Sequence, residues 1–315
     1  MNRKQYLVGF MILTICVFSF LFTNYAFSQT SDNNQLVSNQ EKKYEIGVYV
    51  INVGKIDLQT GTYDLDFYLW IKSEDGNFDK SPPKIEFMNG KATMEPIKIE
   101  PNYYESRVKG VFQKNMNFKN YPFETIQLTV EVEGINDNSI LELIADENES
   151  GIDKLVNIPG WNLIESRIFV TEHEYSDNTT FSRLIFSIDI ERFILSSFLK
   201  TIFPVLIITT IAMLAFWMSP SNFTARIGLG ASTLLAAVAA HLNAAGQLPP
   251  IGYLTLMDKI MIIAYSLFLN NLLSMVIQMR LIDHKKEIEA EKINSKMRKM
   301  MPIIIIIIFT VLFFV

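Results

Sequence analysis

The sequence predicts two parts in series: an all-β, immunoglobulin-like sandwich and, after it, a bundle of four membrane-spanning helices. Short runs of alternating apolar and polar residues, such as 44–53 and 62–71, are separated by turn residues as far as Glu191. This pattern indicates about ten strands and no helix. Four long apolar segments then follow, each long enough or nearly long enough to cross a bilayer: 193–218, 226–245, 255–279 and 300–315.

The first 28 residues have the pattern of a secretory signal peptide. Arg3 and Lys4 precede an apolar core at 8–22, and Ala26-Phe27-Ser28 has the small-x-small pattern of a cleavage site. A membrane anchor at this end is the alternative interpretation. The single cysteine, Cys16, lies in this segment, so core packing and not disulfides must hold the exported part together. We expect three regions: a signal peptide at 1–28, an extracellular β domain at 29–191 and a transmembrane domain at 192–315.

Charge is divided unequally between these regions. Residues 29–191 contain 15 Lys and Arg against 28 Asp and Glu, whereas residues from Arg192 on contain 11 against 5. An acidic outer domain argues against nucleic acid as a partner and raises the local concentration of cations. The short loop at 281–299 is rich in Lys and Arg, which predicts that it is cytoplasmic. The β domain then faces the exterior or periplasm, and the chain is a multi-pass protein of the plasma or inner membrane.

The second apolar segment is unusual, because small and hydroxyl side chains replace the large ones that lipid prefers. Six of its positions, spaced by four and three residues, share one helical face: Gly228, Ser232, Leu235, Ala239, Leu242 and Gly246. Such a face belongs beside water or against other helices, and it lines a pore if several copies surround an axis. Ordinary close packing through small residues is the alternative. His241 lies one step off this face and is interpreted as a packing residue.

Several motifs occur in an order that is typical of one family. They are the run 120–127, with the sequence Asn-Tyr-Pro-Phe-Glu-Thr-Ile-Gln, then Arg192, Pro204, the segment 226–235 and the Leu248-Pro249 pair that precedes Tyr253 and Asp258. In this order they resemble subunits of the pentameric ligand-gated ion channels, the Cys-loop receptor superfamily. The chain is most similar to the bacterial branch, which lacks the Cys-loop disulfide. The resemblance covers nearly the whole mature chain.

The resemblance implies a homopentamer, one chain with four further copies, embedded in a lipid bilayer and passing ions through a pore lined by the second helix. Leu235 and Leu242 then form the gate. The expected coupling residues, between the outer domain and the pore, are Tyr121, Pro122, Phe123, Glu124, Arg192, Pro249 and Tyr253. The expected ligand-binding residues are Phe87, Tyr103, Tyr104, Arg107, Glu133, Glu174, Tyr175 and Phe181. The stimulus is left open among a small agonist, a proton and a divalent cation.

Ion selectivity follows from two opposed features. The Ala225-Arg226 pair before the pore helix is similar to anion-selective members, whereas the acidic outer domain favours cations, and we expect cations by a narrow margin. A non-conducting membrane-anchored sensor is the alternative function. No catalytic, cofactor or metal motif is present, so we predict neither an enzyme nor a metal site. The acidic loop at 146–153 lacks EF-hand spacing and is interpreted as a solvated loop.

Overall fold

The computed structural model describes residues 42–138 and 140–314, with side chains described as far as residue 306. The predicted signal peptide and Cys16 lie outside the described residues. The described chain forms two compact units. One contains the residues up to Leu195 together with Gln247–Gly252, and the other contains Ser196–Gly246 and the residues from Tyr253 on.

The first unit is built from strands, as the alternating pattern predicts. Its described part forms ten of them: β1 (Lys42–Asp57), β2 (Thr62–Lys72), β3 (Ile85–Phe87), β4 (Gly90–Glu100), β5 (Tyr103–Gln113), β6 (Thr125–Gly134), β7 (Leu141–Ala145), β8 (Gly151–Ile152), β9 (Trp161–Glu174) and β10 (Thr180–Arg192). The turn between β1 and β2 contains Gly61, whose φ is 67°. Glycine adopts this left-handed backbone conformation at little energetic cost.

These strands form two sheets. The six-stranded sheet has the order β4-β5-β2-β1-β7, with β8 also paired to β1, and the four-stranded sheet has the order β3-β6-β10-β9. Every second side chain of β2, β6 and β10 is buried, so both sheets turn an apolar face inward. The buried Tyr63 hydroxyl donates to the carbonyl oxygen of Thr129 at 2.8 Å and joins β2 to β6. The predicted two-sheet sandwich is therefore present.

The second unit contains all but the first two residues of α1 (Ile194–Trp217), a helix of mixed type. It is α-helical at Ile194–Ser197, π-helical at Phe198–Ile202, α-helical again at Phe203–Met213 and 3-10 at Leu214–Trp217. Pro204 has no backbone N–H, so a regular turn before it lacks one hydrogen bond. The wider π turn lies where this defect falls, as helix irregularities commonly do.

Two further apolar helices follow, α2 (Phe223–Ala245) and α3 (Leu256–Asp283). The start of α3 is capped by Thr255, whose hydroxyl accepts from the Asp258 backbone N–H at 3.1 Å while the Asp258 carboxylate accepts from the Thr255 N–H at 2.8 Å. This reciprocal capping box satisfies two backbone donors that the helix itself cannot pair. It fixes the start of α3 close to the predicted position.

The last helix, α4 (Glu287–Phe314), differs from the prediction. The sequence predicts a loop at 281–299, but α3 continues to Asp283 and α4 starts at Glu287, so most of that stretch is helical. Its Glu, Lys, Met and Ala residues are good helix formers, and Glu287 and Glu289 lie in the first turn, where acids favour a helix.

Three helices in the described chain, α1 to α3, are long and apolar enough to cross a membrane, where the sequence predicts four. The described side chains of α4 include its charged first half, and its apolar run continues into residues whose side chains are not described. The structure therefore has three apolar helices and a further helix, and a fourth span stays a prediction.

Candidate functional site

The face of α2 predicted from spacing is the exposed face of that helix within the chain. All six positions from Gly228 to Gly246 are exposed, including Leu235 at 71% and Leu242 at 68%. The opposite face is buried against other helices: Arg226, Gly230, Thr233, Ala237 and Ala244. Leu235 and Leu242 are thus large, exposed apolar side chains on a helix whose other exposed residues are mostly small.

Two glycines on α2 show how different these faces are. A Cβ added at Gly228 meets no atom within 4 Å, whereas one added at Gly230 lies 2.9 Å from Cδ2 of Leu272 on α3. Gly230 therefore lets the two helices approach closely, as small residues do in membrane bundles. Gly228 has no such packing role in the described chain. The Ser232 hydroxyl donates to the Leu229 carbonyl at 3.0 Å, so this exposed polar group is satisfied by its own helix.

Arg226 is fully buried, a position that the sequence does not reveal. Its Nε donates to the Ala215 carbonyl at 2.9 Å, Nη1 to Gln278 Oε1 at 2.9 Å and Nη2 to Asn294 Oδ1 at 2.9 Å. Asn294 in turn donates to the Phe216 carbonyl at 3.1 Å. One guanidinium therefore joins the end of α1, the start of α2, the last turns of α3 and the first half of α4. Its charge is not on the exposed face of α2.

His241 also has partners within the helical unit. Its Nδ1 lies 3.0 Å from the Tyr265 hydroxyl, and its Nε2 lies 3.0 Å from Oδ1 of Asp258, the residue that caps α3. Both ring nitrogens are engaged by α3. This agrees with the interpretation of His241 as a residue that packs α2 against its neighbour.

In the first unit, Arg192 at the end of β10 forms an ion pair with Glu124, which is 1% exposed. The Arg192 guanidinium also lies over two rings, 4.7 Å from the centroid of Trp161 and 5.7 Å from that of Tyr121. Cation–π attraction and a buried carboxylate thus hold it from several sides. Pro122 and Phe123 lie between these partners in the chain, and the Tyr121–Pro122 peptide bond is cis.

The same loop reaches the segment that follows α2. The buried Tyr121 hydroxyl donates to Gln247 Oε1 at 3.3 Å, and Gln247–Gly252 belongs to the same compact unit as the strands. Pro249 is half-buried in this segment, and Tyr253, which begins the other unit, is 37% exposed. The strand-rich unit therefore contains the residues that directly continue the chain after α2.

Three of the predicted ligand-binding residues lie together at one end of the four-stranded sheet: Glu133 on β6, Phe181 on β10 and Tyr175 in the turn between β9 and β10. Tyr175 donates its hydroxyl to Glu133 Oε2 at 2.9 Å, and its ring meets Phe181 edge-on at 5.4 Å. Arg183 completes the group, donating from Nε to Glu133 Oε1 at 2.6 Å and from Nη1 to Glu131 at 3.3 Å. Arg183 and Glu133 are direct cross-strand partners. The sequence alone does not predict the pairing of Arg183 with Glu133, because it depends on the register of β6 against β10.

The other predicted ligand residues do not gather there. Tyr103 and Arg107 are on the outer face of the other sheet, where Arg107 donates twice to Asp66, at 2.9 and 2.8 Å. Tyr104 points into the core, because adjacent residues of a strand face opposite sides of the sheet. Phe87 packs against the core rings of Phe67 and Phe112, with centroids 6.2 and 5.7 Å away. Tyr104 is therefore a core residue, the half-buried Phe87 packs onto the core, and Glu174 is exposed.

The outer face of the six-stranded sheet has a shallow concavity of about 290 Å³. Its lining is aromatic and acidic: Tyr49, Tyr68, Trp70, Tyr103, Glu105 and Glu149. Burial and the neighbouring Glu105 raise the pKa of Tyr103 to about 12, so its hydroxyl stays protonated at physiological pH.

The acidic loop after β7 is bound to this sheet. Asp146 accepts from Trp70 Nε1 at 3.0 Å and from Lys72 Nζ at 2.7 Å. Burial alone raises the pKa of Asp146, but these hydrogen bonds and one from the Glu149 backbone outweigh it and hold the pKa below its usual value. Asp146 is thus a structural carboxylate and not part of a solvated loop. Among the described residues, no group of three or more His, Cys, Asp or Glu is arranged to hold a metal ion.

No protein-family model matches the chain. It is 22% identical over 308 residues to a proton-gated ion channel of Gloeobacter violaceus, covering 88% of this chain and 85% of that protein. It is 25% identical over 169 residues to the gamma-aminobutyric acid receptor subunit beta-4 of Gallus gallus. It is 21% identical over 168 residues to the rho-1 subunit of Homo sapiens.

Each receptor alignment covers 51% of this chain, but only 34% of the beta-4 subunit and 35% of the rho-1 subunit. All three relatives are channels or receptor subunits and not enzymes, which agrees with the prediction that the chain carries no catalytic site. The likeness to the bacterial channel covers both the strand-rich unit and the apolar helices described above. These likenesses support the resemblance of the chain to a bacterial pentameric ligand-gated ion channel of the Cys-loop superfamily.

Proposed function

We propose that the chain is the subunit of a homopentameric cation channel whose pore is lined by α2 and opened by a stimulus at the outer domain. The observation that carries this proposal is the division of α2 into a buried face and an exposed face of Gly228, Ser232, Leu235, Ala239, Leu242 and Gly246. Five such faces around one axis make a closed ring of equivalent surfaces. They give water and ions a path that the Leu- and Ile-rich faces of α1 and α3 do not.

Leu235 and Leu242 are the gate in this proposal. They are seven residues apart, so two rings of leucine lie about 10 Å apart along the pore. A narrow ring of apolar side chains excludes water and stops ions without a physical plug. Ser232 and Ala239 lie on either side of Leu235 along this face, and their small side chains leave the pore wider at those two levels.

The proposed orientation places the first unit outside the cell. The basic residues that follow α3 favour a cytoplasmic location for that end of the bundle, and an outer strand domain agrees with the predicted signal peptide. The membrane is then the plasma or inner membrane, crossed by α1 to α3 and by α4 as a fourth span.

The position of Arg226 and the acidic charge of the outer domain together favour cation conduction. The argument for anions depends on Arg226, and that side chain is buried among Ala215, Gln278 and Asn294 instead of lying on the exposed face. The residues exposed at the same end of α2, such as Thr224 and Ala225, are uncharged. The acidic outer domain then remains as the main charge that an approaching ion meets.

The stimulus is proposed to act where Glu131, Glu133, Tyr175 and Arg183 meet. Both oxygens of Glu133 are engaged, one by Tyr175 and one by Arg183, so a cationic agonist must displace one of these donors to reach it. Because the Gloeobacter relative is a proton-gated channel, acid is the first stimulus to apply, followed by small amines and divalent cations.

Replacing Leu235 with Ser is expected to make the channel leak without any stimulus, because a hydroxyl hydrates the narrow ring and opens it to ions. The measurement is the current of the purified variant in a planar bilayer under a NaCl gradient. Reversal near the sodium equilibrium potential supports a cation channel, and reversal near that of chloride contradicts the selectivity. A pentamer that stays silent favours the non-conducting sensor.

Cysteine accessibility tests the pore face without any knowledge of the stimulus. The only native cysteine lies at position 16, so single cysteines can be introduced into α2 against a clean background. In the Leu235→Ser channel, Ser232→Cys is expected to react with a charged, water-soluble thiol reagent and to lose at least about half of its current. Thr233→Cys, one residue away on the buried face, is the matched control and is expected to be inert. Equal reaction at the two positions contradicts the assignment of the pore face.

A further inference from the structure

The guanidinium of Arg226 is a full charge that neutral groups hold inside the helical unit. Arg226 is fully buried, and its nitrogens donate to one backbone carbonyl oxygen and two side-chain amide oxygens, each at 2.9 Å. The centroid of the Phe216 ring lies 5.7 Å from the guanidinium carbon. None of these partners carries a negative charge, and a buried charge costs free energy unless hydrogen bonds offset its lost hydration. The buried position of this charge therefore depends on these contacts.

The two amide side chains, Gln278 and Asn294, are each oriented by a second hydrogen bond. Gln278 is buried and donates from Nε2 to the Ser274 hydroxyl at 3.0 Å. Asn294 is also buried and donates from Nδ2 to the Phe216 carbonyl at 3.1 Å. Because the NH₂ group of each amide is engaged elsewhere, its oxygen is the end that faces Arg226. The two amides therefore form a fixed pair of acceptors for the guanidinium.

Without these acceptors, the Arg226 side chain has a short route to water. Arg226 lies in the first turn of α2, where helical side chains lean toward the N-terminal end of the helix. Its neighbours at that end, Thr224 and Ala225, are exposed. The Cα atom of Arg226 lies about 160° around the axis from Gly228 on the exposed face, but a long side chain in the first turn can pass the end of the helix. We therefore expect a released guanidinium to reach the end of the proposed pore at which α2 begins.

We propose that Gln278 and Asn294 are positioning residues for ion selectivity, which keep the charge of Arg226 inside the helical unit and away from the pore. This inference rests on the proposed cation channel. Five guanidiniums gathered at one end of a narrow pore repel cations there, and their effect weakens with distance from the axis. The amide pair therefore lets a helix that begins with a basic residue conduct cations.

Reversal potentials test the inference in the full-length Leu235→Ser channel under a NaCl gradient. The double variant Gln278→Leu/Asn294→Leu removes both amide acceptors and keeps Arg226. We expect its sodium-to-chloride permeability ratio to fall by at least about tenfold relative to the Leu235→Ser channel, because the freed charge faces the permeating ions. Adding Arg226→Gln removes that charge and is expected to return the ratio to within about twofold of the starting value.

Asn271→Leu is the matched control. Asn271 is also a buried amide of α3, but it donates from Nδ2 to the Ala212 carbonyl, at 2.8 Å, and not to a partner of Arg226. We expect this variant to change the permeability ratio by less than about twofold. An equal fall in the control, an unchanged ratio in the double variant or no recovery with Arg226→Gln overturns the inference. A Leu235→Ser channel that reverses near the chloride potential contradicts the proposed cation function instead.

Arginine labelling gives a readout that does not depend on current. Phenylglyoxal modifies guanidinium groups that water can reach, and mass spectrometry of the purified full-length protein locates the modified residues. In the unaltered protein and in Asn271→Leu, we expect the exposed Arg280 to be modified and the buried Arg226 to be protected. In the double variant, we expect the modification of Arg226 to rise by at least about fivefold.

The labelling result decides the position of the guanidinium even if no variant conducts. Arg226 modified as readily as Arg280 in the unaltered protein, or still protected in the double variant, overturns the inference. Helical circular dichroism and the elution volume verify that each variant is folded and assembled. Asn294→Leu alone, which leaves the contact with Gln278, is the milder variant if the double variant does not assemble, and a smaller rise in the same direction is then expected.

Discussion

Replacing Arg226 with Ala is expected to destabilise the helical unit by about 3 kcal/mol or more, because removal of one partner from a buried polar network leaves the others unsatisfied. The guanidinium donates to acceptors contributed by three segments, the Ala215 carbonyl, Gln278 and Asn294. The guanidinium is fully buried within the chain, so its loss leaves these acceptors without a partner. The midpoint of thermal unfolding and the fraction of protein that elutes as a pentamer report the loss.

Arg226→Lys and Arg280→Ala complete this experiment. Lysine keeps the charge but carries its donors on a single nitrogen, which cannot reach three acceptors that lie in different directions. We therefore expect it to restore only part of the stability. Arg280 is an exposed arginine near the end of α3, and its loss is expected to cost less than about 0.5 kcal/mol. An Arg226→Ala protein as stable as Arg280→Ala contradicts the role of the network.

The position of Arg226 shows where sequence reasoning reaches its limit. From the sequence, Arg226 is interpreted as a charge in the pore or as a side chain that snorkels away from the axis, and an internal hydrogen-bond network is not among these interpretations. The structure makes it part of such a network because Gln278 and Asn294, which lie 52 and 68 residues further along the chain, reach the same point. Gln278 lies in the apolar helix α3 and Asn294 in the charged half of α4. The sequence around each residue does not indicate that the two share a partner.

The architecture itself is largely readable from the sequence, because strand and helix patterns are local. Alternation reveals β2 and β10, and the spacing of small residues on α2 identifies its exposed face. Register is not local. Tyr103 and Tyr104 look equivalent as candidate aromatic residues, but only the parity of β5 decides that Tyr104 is buried. The start of α4 differs from the prediction because the charged segment before the last apolar run is interpreted as a loop, although its residues favour a helix.

Reversing the charge of Arg192 is expected to abolish the response to any stimulus that acts at the outer domain. Glu124 is buried, so Arg192→Glu places two carboxylates together and removes the cation from between Tyr121 and Trp161. Tyr121 also donates to Gln247, one residue beyond the end of the segment that contains α2. Loss of these contacts is therefore expected to disturb the segment that joins the strand-rich unit to α2, the proposed pore helix.

Three measurements separate lost coupling from lost folding. Surface labelling is expected to find the Arg192→Glu protein in the membrane, and an acid step is expected to evoke no current from it. The leak caused by Leu235→Ser is expected to survive in the double variant, because it depends on the pore alone. Arg167→Glu is the matched control: it breaks a more exposed pair with Asp189, joined at 2.6 Å, and such pairs contribute about 1 kcal/mol or less.

The outcomes bear on how the two units act together. If Arg192→Glu removes the evoked current but keeps the leak, the defect lies between the stimulus and the gate. This is the result expected if the contacts of Arg192 change between a closed and an open arrangement. If Arg192→Glu responds like Arg167→Glu, the buried pair stabilises the outer domain and has no part in opening. If the leak is lost as well, the bundle itself depends on Arg192, and coupling must be sought elsewhere in the loop of Tyr121 and Pro122.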